Sequence, residues 1–407
     1  MNAPKLRFNE YNIPWKSVVL SEIADVRDGT HDSPSYYSNG KMLITSKNLQ
    51  ANGKLDLSNV SLINEDDFNQ INKRSKVDVG DILFGMIGTI GNPVMVFQDN
   101  FAIKNVALIK NSKGYNSFLI HYLRSASIAK QFHLSQAGGT QKFIGLGIIR
   151  DLEIKVPLAG EQKKIGDFFF TLDKKIQKQQ EKVELLKQQK KGLMQKIFSQ
   201  ELRFKNENGQ EFPNWVEQAL GNIGTNYTGL SGKTKDDFGF GEHSFITYTN
   251  VFNNLYAKLE QIEKVNVKDE ETQSYVEKND ILFTTSSETP NEVGMASIWI
   301  HESKNLHLNS FCFGYRINTE DIHPEFVAIS LRSDYMRKKI VFLAQGSTRY
   351  NISKAKLMEA TIKIPTLKEQ NKIIAFYKKL DSQVKLEEER QKFLIAQKQA
   401  FMQQMFT

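Results

Sequence analysis

The sequence predicts an α+β fold in which two pseudo-repeated α/β domains are separated by two long antiparallel helices that form a coiled coil. Three observations predict it. The chain is written roughly twice, two segments of nearly forty residues carry apolar side chains at heptad spacing, and short β-like runs lie between Gly, Asn and Asp turns. A length of 407 residues suits two domains of about 150 residues each plus these helices.

The internal repeat is clearest in the second half of each copy, where one constant shift of 208 positions relates the two. Three motifs recur by this shift: "YLRS" at 122–125 and "SLRS" at 330–333, "GGTQ" at 138–141 and "GSTR" at 346–349, "IKVP" at 154–157 and "IKIP" at 362–365. Upstream, the shift is 199 for "DILF" at 81–84 and 196 for "LRF" at 6–8. Insertions are therefore expected in loops inside each copy.

The repeat predicts boundaries for six segments. They are an N-terminal tail at 1–14 that repeats 199–214, a first domain at 15–158, a central helix at 159–200, a linker at 201–214, a second domain at 215–366 and a C-terminal helix at 367–407. Tail, domain and helix follow one another twice in the same order. This order predicts pseudo-twofold symmetry and, because the copies run head to tail, an antiparallel pairing of the two helices.

Both helical segments carry apolar side chains at steps of three and four, the heptad spacing of a coiled coil. The first set is Ile165, Phe169, Leu172, Ile176, Val183, Leu186 and Leu193, and the second is Ile373, Tyr377, Leu380, Val384, Leu394 and Phe401. Polar residues interrupt both sets at matching positions: Gln179 and Lys190, then Glu387 and Lys398. The alternative is that each helix docks on its own domain, but about 58 Å of helix is too long for one domain to cover.

The composition sets limits on the class of protein. The single cysteine, Cys312, excludes a disulfide framework and a cysteine-based zinc site. No stretch is long and apolar enough for a membrane span, so we predict a cytoplasmic protein. The net charge of +8 allows a nucleic-acid partner, but most of the excess lies in the two helical segments. Any grip on DNA elsewhere must come from local patches.

Catalytic motifs are weak in this sequence. "GLSGKT" at 229–234 has the wrong spacing for a phosphate loop, and the seven histidines form no metal pair. The Asn-Pro-Pro-aromatic tetrapeptide, with which an adenine methyltransferase holds its target amino group, does not occur. "DLEIK" at 151–155 has the carboxylate and lysine spacing of metal-dependent nucleases, yet its repeat has Thr361 in place of Glu153. A strand edge explains both copies. We expect no catalytic residue and no metal site. Two alternative functions stay open: a single-chain restriction enzyme or methyltransferase, and a scaffold without DNA function.

Polar and basic loop residues are the candidates for DNA contact, because Asn, Gln, Lys and Arg can read base edges and Ser and Thr can hold phosphates. One loop carries Arg27, Thr30 and His31, and a later loop carries Ser46, Lys47 and Asn48. The repeated turn before each helix carries Thr140, Gln141 and Lys142 in the first copy and Thr348, Arg349, Tyr350 and Asn351 in the second. The alternative for each residue is an ordinary solvated loop position.

These residues resemble the specificity subunits of type I restriction-modification systems. The resemblance rests on "DGTHDSP" at 28–34, "ITSKNL" at 44–49, "GDILFGMIGTIGN" at 80–92, the two repeated turns, and the Pro, Glu-Gln and long-helix order, so it spans nearly the whole chain. It implies two target-recognition domains that each read half of a bipartite, asymmetric site in double-stranded DNA. It also implies two methyltransferase subunits as partners, held by the helix residues named above, and motor subunits for ATP-dependent restriction.

The resemblance implies further that S-adenosylmethionine, ATP and Mg²⁺ bind to the partner subunits and that this chain binds no cofactor. The 80–92 stretch is mostly apolar, so we interpret it as core framework with only Thr89 near DNA. In the second domain the corresponding loop reads "YTGLSGKT", so Tyr227, Ser231 and Lys233 become the DNA-binding candidates there. Divergent loops on a repeated framework are what two different half-sites require.

Overall fold

The computed structural model describes residues 4–110, 115–135, 143–346 and 349–406. The chain divides into two units: unit 1 comprises residues 1–181 and 388–407, and unit 2 comprises residues 182–387. Unit 1 holds β1 (Lys16–Val19), α1 (Leu20–Ile23), β2 (Asp25–Asp28), β3 (Lys41–Thr45), β4 (Ser61–Ile63), α2 (Glu65–Ser75), β5 (Ile82–Gly85), β6 (Gly91–Met95), β7 (Phe101–Lys104), β8 (Val106–Lys110), α3 (Asn116–Leu123), α4 (Ala126–Ser135), α5 (Leu146–Arg150), β9 (Glu153–Val156) and the first part of α6 (Ala159–Phe198).

Unit 2 repeats this order of elements with a few additions, and it has no helix at the position of α2. It holds the rest of α6, β10 (Val216–Ala219), α7 (Leu220–Ile223), β11 (Gly224–Thr228), β12 (Phe238–Ile246), α8 (Tyr248–Asn253), β13 (Ile262–Val265), β14 (Ile281–Thr284), β15 (Ser286–Ser287), β16 (Ala296–Ile298), β17 (Leu306–Leu308), β18 (Cys312–Ile317), α9 (Pro324–Leu331), α10 (Asp334–Leu343), β19 (Tyr350–Asn351), α11 (Lys354–Glu359), β20 (Thr361–Ile364) and most of α12 (Leu367–Met405). The end of α12 belongs to unit 1.

The two units have the same sheet topology. Unit 1 has an antiparallel sheet in the order β2-β8-β5-β6 and a smaller sheet β4-β3-β7, in which β3 and β7 are parallel. Unit 2 has β11-β18-β14-β16 and β13-β12-β17, in which β12 and β17 are parallel. In each unit the strand before the long helix pairs with the first strand of the domain, β9 with β1 and β20 with β10. The duplication predicted from the sequence is confirmed.

The "DILF" repeat forms the central strand of each larger sheet because both of its faces are buried. Ile82 and Phe84 face the helices of unit 1, and Leu83 faces the smaller sheet, as the period of two in a strand requires. In unit 2, Phe283 and Leu282 divide in the same way between two core clusters. Each sheet therefore separates two apolar layers, and the smaller sheet carries the loops described below.

The long helices pair antiparallel within each unit. In unit 2, Lys182 Nζ lies 2.8 Å from Glu387 Oε1, and Lys190 forms an ion pair with Asp381 nearer the start of α12. The residue numbers of the paired positions rise along α6 and fall along α12, so the two helices run in opposite directions. The antiparallel coiled coil predicted from the heptads is confirmed.

In unit 1 the same arrangement recurs near the start of α6. Lys398 Nζ lies 2.5 Å from Asp173 Oδ1, and the rings of Phe168 and Phe401 meet edge to face with centroids 5.2 Å apart. The 208-position shift relates this ion pair to the Lys190–Asp381 pair of unit 2. The polar interruptions at Lys190 and Lys398 are therefore equivalent ion-pair positions.

One prediction about the helices needs correction. The predicted heptad residues are covered inside their own units: Ile165, Phe169, Leu172, Val183, Ile373 and Val384 are buried, and Ile176, Leu186, Leu193, Tyr377, Leu380, Leu394 and Phe401 are half-buried. They form the seam of the coil and do not offer an exposed subunit interface. The apolar side chains that the helices expose are others, namely Phe170, Leu185, Leu386, Phe393 and Ile395.

Candidate nucleic-acid interface

In unit 1 the candidate interface lies where the chain passes from the smaller sheet to the larger one, between β7 and β8. Asn105 is the single residue of this connection. Its carbonyl accepts a hydrogen bond from Ser46 Oγ at 2.9 Å, and the same hydroxyl accepts one from the Met86 N–H at 3.1 Å. The Asn105 N–H donates to the Thr30 carbonyl at 3.1 Å. Three loops that are far apart in the sequence therefore meet at one edge of unit 1.

A glycine in each unit allows the first of these loops to approach so closely. A Cβ on Gly29 would lie 2.3 Å from the Ile103 carbonyl oxygen, and a Cβ on Gly229 would lie 2.2 Å from the Asn309 carbonyl oxygen. Both distances are too short for any side chain. The two glycines stand at equivalent positions of the repeat, so the loop after the first strand of the larger sheet is fixed in the same place twice.

The side chains exposed at this edge of unit 1 combine cationic and apolar groups. Lys47 and His31 are exposed. Lys104 lies at the end of β7, where its backbone forms a bridge with Thr30, the residue before His31. Phe143 is exposed as well, and its backbone forms an isolated β-bridge with Ile87 in the loop after β5. Cationic side chains can neutralise phosphates, and polar side chains and rings can contact base edges, so the edge has the chemistry of a DNA-binding surface.

The equivalent edge of unit 2 carries different side chains. Its connection between β17 and β18 is longer, and Phe311 within it is 56% exposed. The guanidinium of Arg349 lies over the Phe311 ring, 5.9 Å from the ring centroid. Asn351 pairs with Ser286 in the small sheet formed by β15 and β19. In unit 2 a stacked arginine and an aromatic ring thus stand at the connection between the two sheets.

The repeated turn before each long helix reaches this edge where the structure describes it. Phe143 in unit 1 and Asn351 in unit 2 are related by the 208-position shift, and both pair with the loop that follows the central strand. Arg349 and Asn351 are exposed, and Tyr350 is half-buried. The candidates Thr140, Gln141, Lys142 and Thr348 lie outside the described residues.

The structure also bears on the other chemistries weighed from the sequence. In the four described ranges, no group of three or more His, Cys, Asp and Glu side chains is placed to hold a metal ion. Glu153 lies at the start of β9, where its backbone N–H and carbonyl both bond to the side chain of Gln131 at 2.9 Å. No helix among the described residues combines the length and hydropathy needed to cross a membrane.

Comparison with known proteins assigns the family. The family model for the type I restriction modification DNA specificity domain matches twice, at residues 12–188 and 213–394, and together these matches cover most of the chain. The chain belongs to the type I restriction-modification specificity subunits. The two matches correspond to the two copies of the internal repeat, and the resemblance predicted from the sequence is confirmed.

Relatives of this specificity subunit match along their whole length. A putative type I restriction enzyme MjaX specificity subunit of Methanocaldococcus jannaschii is 23% identical over an alignment of 430 positions, which covers 100% of this chain and 96% of the relative. The type I S subunit of M. genitalium has a similar fold, with a TM-score of 0.55 at 15% identity and coverage of 100% and 99%. A chain from a structural study of complex assembly and conformational transition in a type I system has a TM-score of 0.60 at 18% identity, with coverage of 97% and 99%.

Arg27 is not a loop residue of this specificity subunit, contrary to the prediction. It lies within β2, opposite Leu108 of β8. Its guanidinium is half-buried, lies 2.6 Å from Asp25 Oδ2, and donates to the Arg74 carbonyl at 3.3 Å. Because the β-like segment extends further than the sequence pattern indicated, Arg27 belongs to the framework and its charge is neutralised within unit 1.

Ser46 and Asn48 are also framework residues, although both were predicted to contact DNA. Ser46 is 3% exposed and Asn48 is 6% exposed. The Asn48 amide donates to the carbonyls of Asp56 at 3.0 Å and Asn59 at 3.2 Å. In unit 2 the Asn250 amide makes the same two bonds, to Lys258 and Gln261. The sequence carried a signal for this role, because "ITSKN" at 44–48 recurs as "ITYTN" at 246–250.

In unit 2 the structure places the predicted DNA-binding residues Tyr227 and Lys233 in contacts inside the unit. Tyr227 lies on β11, its hydroxyl donates to Asp280 Oδ2 at 2.6 Å, and burial raises its pKa well above the ordinary value. The Lys233 side chain is 2% exposed and forms an ion pair with Glu271 at 2.5 Å. Both side chains are occupied inside the unit. Ser231, in the same loop, is exposed.

Two of the remaining candidates have intermediate positions, and three relevant residues were missed. Thr30 and Thr89 are half-buried, and Thr30 Oγ1 accepts a bond from the Asp32 N–H at 3.1 Å. Lys104, Asn105 and Phe311 were not among the predicted residues, and they stand at the connections between the two sheets, the first two in unit 1 and Phe311 in unit 2. Only the topology reveals that connection, since the strands on either side of it read as one apolar run.

Proposed function

We propose that each unit reads one half of a bipartite, asymmetric sequence in double-stranded DNA through the edge described above. The observation that carries this proposal is the contrast between a repeated framework and different tips. The framework bonds of Asn48 recur at Asn250, whereas the exposed tip carries His31 and Asn105 in unit 1 and Phe311 with Arg349 in unit 2. Two similar frames with different contact residues suit two different half-sites.

The long helices hold the partner subunits in this proposal. Their seam is used within the chain, so the docking surface is the outer face, where Leu185 and Phe393 are 54% and 66% exposed. The 208-position shift relates these two residues. Equivalent apolar positions on the two helices suit a partner present in two copies, and we assign this face to two methyltransferase subunits, which motor subunits join for ATP-dependent restriction.

The chain itself has no catalytic role in this proposal. Adenine methylation and DNA cleavage are carried out by the partners, which bind S-adenosylmethionine, ATP and Mg²⁺, while this chain supplies the choice of sequence. Among the described residues, the exposed groups of the candidate interface are cations, amides and rings, a set that suits the binding and discrimination of DNA. Because the substrate is DNA in the cell, we assign the complex to the cytoplasm.

Selection from a random duplex library tests this function. The purified full chain, alone and with its methyltransferase partner, is expected to enrich two short sequence blocks separated by a fixed number of degenerate positions. A chain that reads DNA by phosphate contacts alone would show strong dependence on salt but no enriched sequence. A scaffold without DNA function would show neither, and either of these results would refute the proposal.

A further inference from the structure

Asn105 is held in an uncommon backbone conformation at the edge of unit 1. Its φ is +53°, in the left-handed region, which Asn tolerates better than other residues that carry a side chain. Its N–H donates to the Thr30 carbonyl at 3.1 Å, and its carbonyl accepts from Ser46 Oγ at 2.9 Å. The backbone is therefore fixed on both sides, and the side chain projects from a rigid point.

The side chain of Asn105 is fixed as well, by His31. Asn105 Oδ1 lies 2.7 Å from His31 Nδ1, and since an amide oxygen only accepts, Nδ1 carries the hydrogen. His31 Nε2 lies 2.9 Å from Asp28 Oδ2 and donates to that carboxylate. Both contacts favour the protonated imidazole, and the hydrogen bonds to Asp28 and then to Asn105 raise the pKa of His31. Arg74 completes the chain by binding the other oxygen of Asp28 at 2.5 Å.

One donor of this arrangement is left over. Within the described ranges, Asn105 Nδ2 has no hydrogen-bond partner, although Oδ1, the backbone N–H and the backbone carbonyl are all used. The amide plane is set by His31, so the Nδ2 hydrogens have a fixed direction. Lys47 and Lys104 lie in the loops that meet at this edge and can supply charge for phosphates. A neutral, rigid donor between cationic side chains suits a base edge better than a phosphate.

The connection between the two sheets of unit 2 uses its asparagine differently. Asn309 Oδ1 accepts a bond from the Phe311 N–H at 2.9 Å, so its side chain stabilises the turn itself. The exposed positions there are taken by Phe311 and Arg349. Among the described residues, an amide donor oriented by a histidine at this connection therefore occurs in unit 1 and not in unit 2.

We propose that Asn105 is a specificity-determining residue that donates from Nδ2 to an acceptor on a base edge, with His31 as the positioning residue that orients it. The acceptor is one that the major groove presents, such as N7 or O6 of a purine or O4 of thymine. The inference rests on the proposed function, because it assigns this contact to the half-site that unit 1 reads.

The first test replaces the donor with an acceptor of the same shape. Asn105→Asp keeps the size of the side chain and tolerates the positive φ. In library selection with the full chain, it is expected to lose about tenfold preference at one base pair of one half-site. The control Asn208→Asp adds the same charge at an exposed asparagine of the linker, outside both candidate interfaces, and is expected to leave every base preference unchanged. Equal weakening on all sequences by Asn105→Asp would identify a phosphate contact and overturn the inference.

The second test uses pH to separate orientation from simple packing. Above its pKa, His31 keeps the Nε2 hydrogen toward Asp28, and Nδ1 becomes an acceptor. The Asn105 amide then turns to donate to it and presents Oδ1 outward. Preference at the same base pair is therefore expected to change as pH rises through the raised pKa, above the ordinary value of 6.5. The other charged groups around His31 are Asp28, Arg74 and Lys104.

His31→Gln should abolish this pH dependence. The preferences of this variant at all other base pairs should remain those of the wild-type chain. A wild-type preference that does not vary with pH would overturn the positioning role of His31, even if Asn105 reads a base. If the wild-type chain enriches no sequence at any pH, the proposed function fails first, and the two failures are thereby distinguished.

Discussion

A chain carrying Val183→Lys together with Val384→Lys is expected to lose about 3 to 5 kcal/mol of stability in unit 2, because buried ammonium groups without partners are costly. Both valines are buried in the seam of the coil, 5% and 7% exposed, and both belong to unit 2. Urea titration followed by circular dichroism measures the loss. An unchanged unfolding midpoint would show that the two helices do not depend on this seam.

The matched control places lysine on the outer face of the same helical stretches. Leu185 and Leu386 are 54% and 48% exposed, so Leu185→Lys with Leu386→Lys should change the free energy of unfolding by less than about 0.5 kcal/mol. If the outer face holds the methyltransferase subunits, this folded variant should nevertheless fail to co-purify with them. Normal co-purification would contradict the assignment of the outer face to the methyltransferase subunits.

Arg203→Met is expected to cost about 3 to 5 kcal/mol, because it leaves a buried carboxylate without its cation. The Glu369 side chain is 0% exposed, and Arg203 NH2 binds Glu369 Oε2 at 2.8 Å and the Pro213 carbonyl at 2.7 Å. Trp215 Nε1 donates to the same carboxylate at 3.1 Å. Thermal unfolding followed by tryptophan fluorescence measures the change.

The double variant Arg203→Met with Glu369→Gln is the rescue that identifies the cause. Removing the charge of the carboxylate should restore a large part of the loss, since the neutral amide no longer needs a cation. Lys278→Met is the surface control, because its ion pair with Glu302 is exposed and worth about 0 to 1 kcal/mol. The explanation would be contradicted if Lys278→Met lost as much stability as Arg203→Met, or if Glu369→Gln restored none of the stability that Arg203→Met loses.

The same tail-to-helix contact occurs in unit 1, where Arg7 binds Glu161 at 2.7 Å and donates to the Ile13 carbonyl. The sequence predicted the repeat of "LRF" but not its purpose. The two arginines are related by a shift of 196 and the two glutamates by a shift of 208, because insertions lie between the tail and the helix. The correspondence of the two ion pairs is therefore hidden in the sequence. The contact becomes visible only when the fold brings the tail to the start of the helix.

The elements that could be predicted were those set by periodicity. The heptads of α6 and α12 depend on spacing alone, and the prediction of two antiparallel helices followed from spacing and repeat order. The "DILF" strands were recognisable because both of their faces are apolar. These features depend on many residues acting together, so an error at one position does not change the result.

Single contact residues were less predictable, because their roles depend on small changes in exposure. Ser46 and Asn48 have the side chains of DNA-contact residues, yet a short helical turn points both into unit 1, while Lys47 between them is exposed. Asn105 looked like part of one long strand. Its positive φ and its contact with His31, 74 positions away, arise from the crossing between two sheets.

Methylome sequencing of a strain with an exchanged first domain tests the central claim most directly. In this strain residues 15–157 are replaced by the matching domain of another specificity subunit, and the tail, both helices and the second domain are kept. Modular reading predicts that one half of the methylated adenine-containing site changes to that of the donor, while the other half and the gap between the halves stay the same. If both halves change together, or if neither changes while methylation persists, the two units do not read separate half-sites.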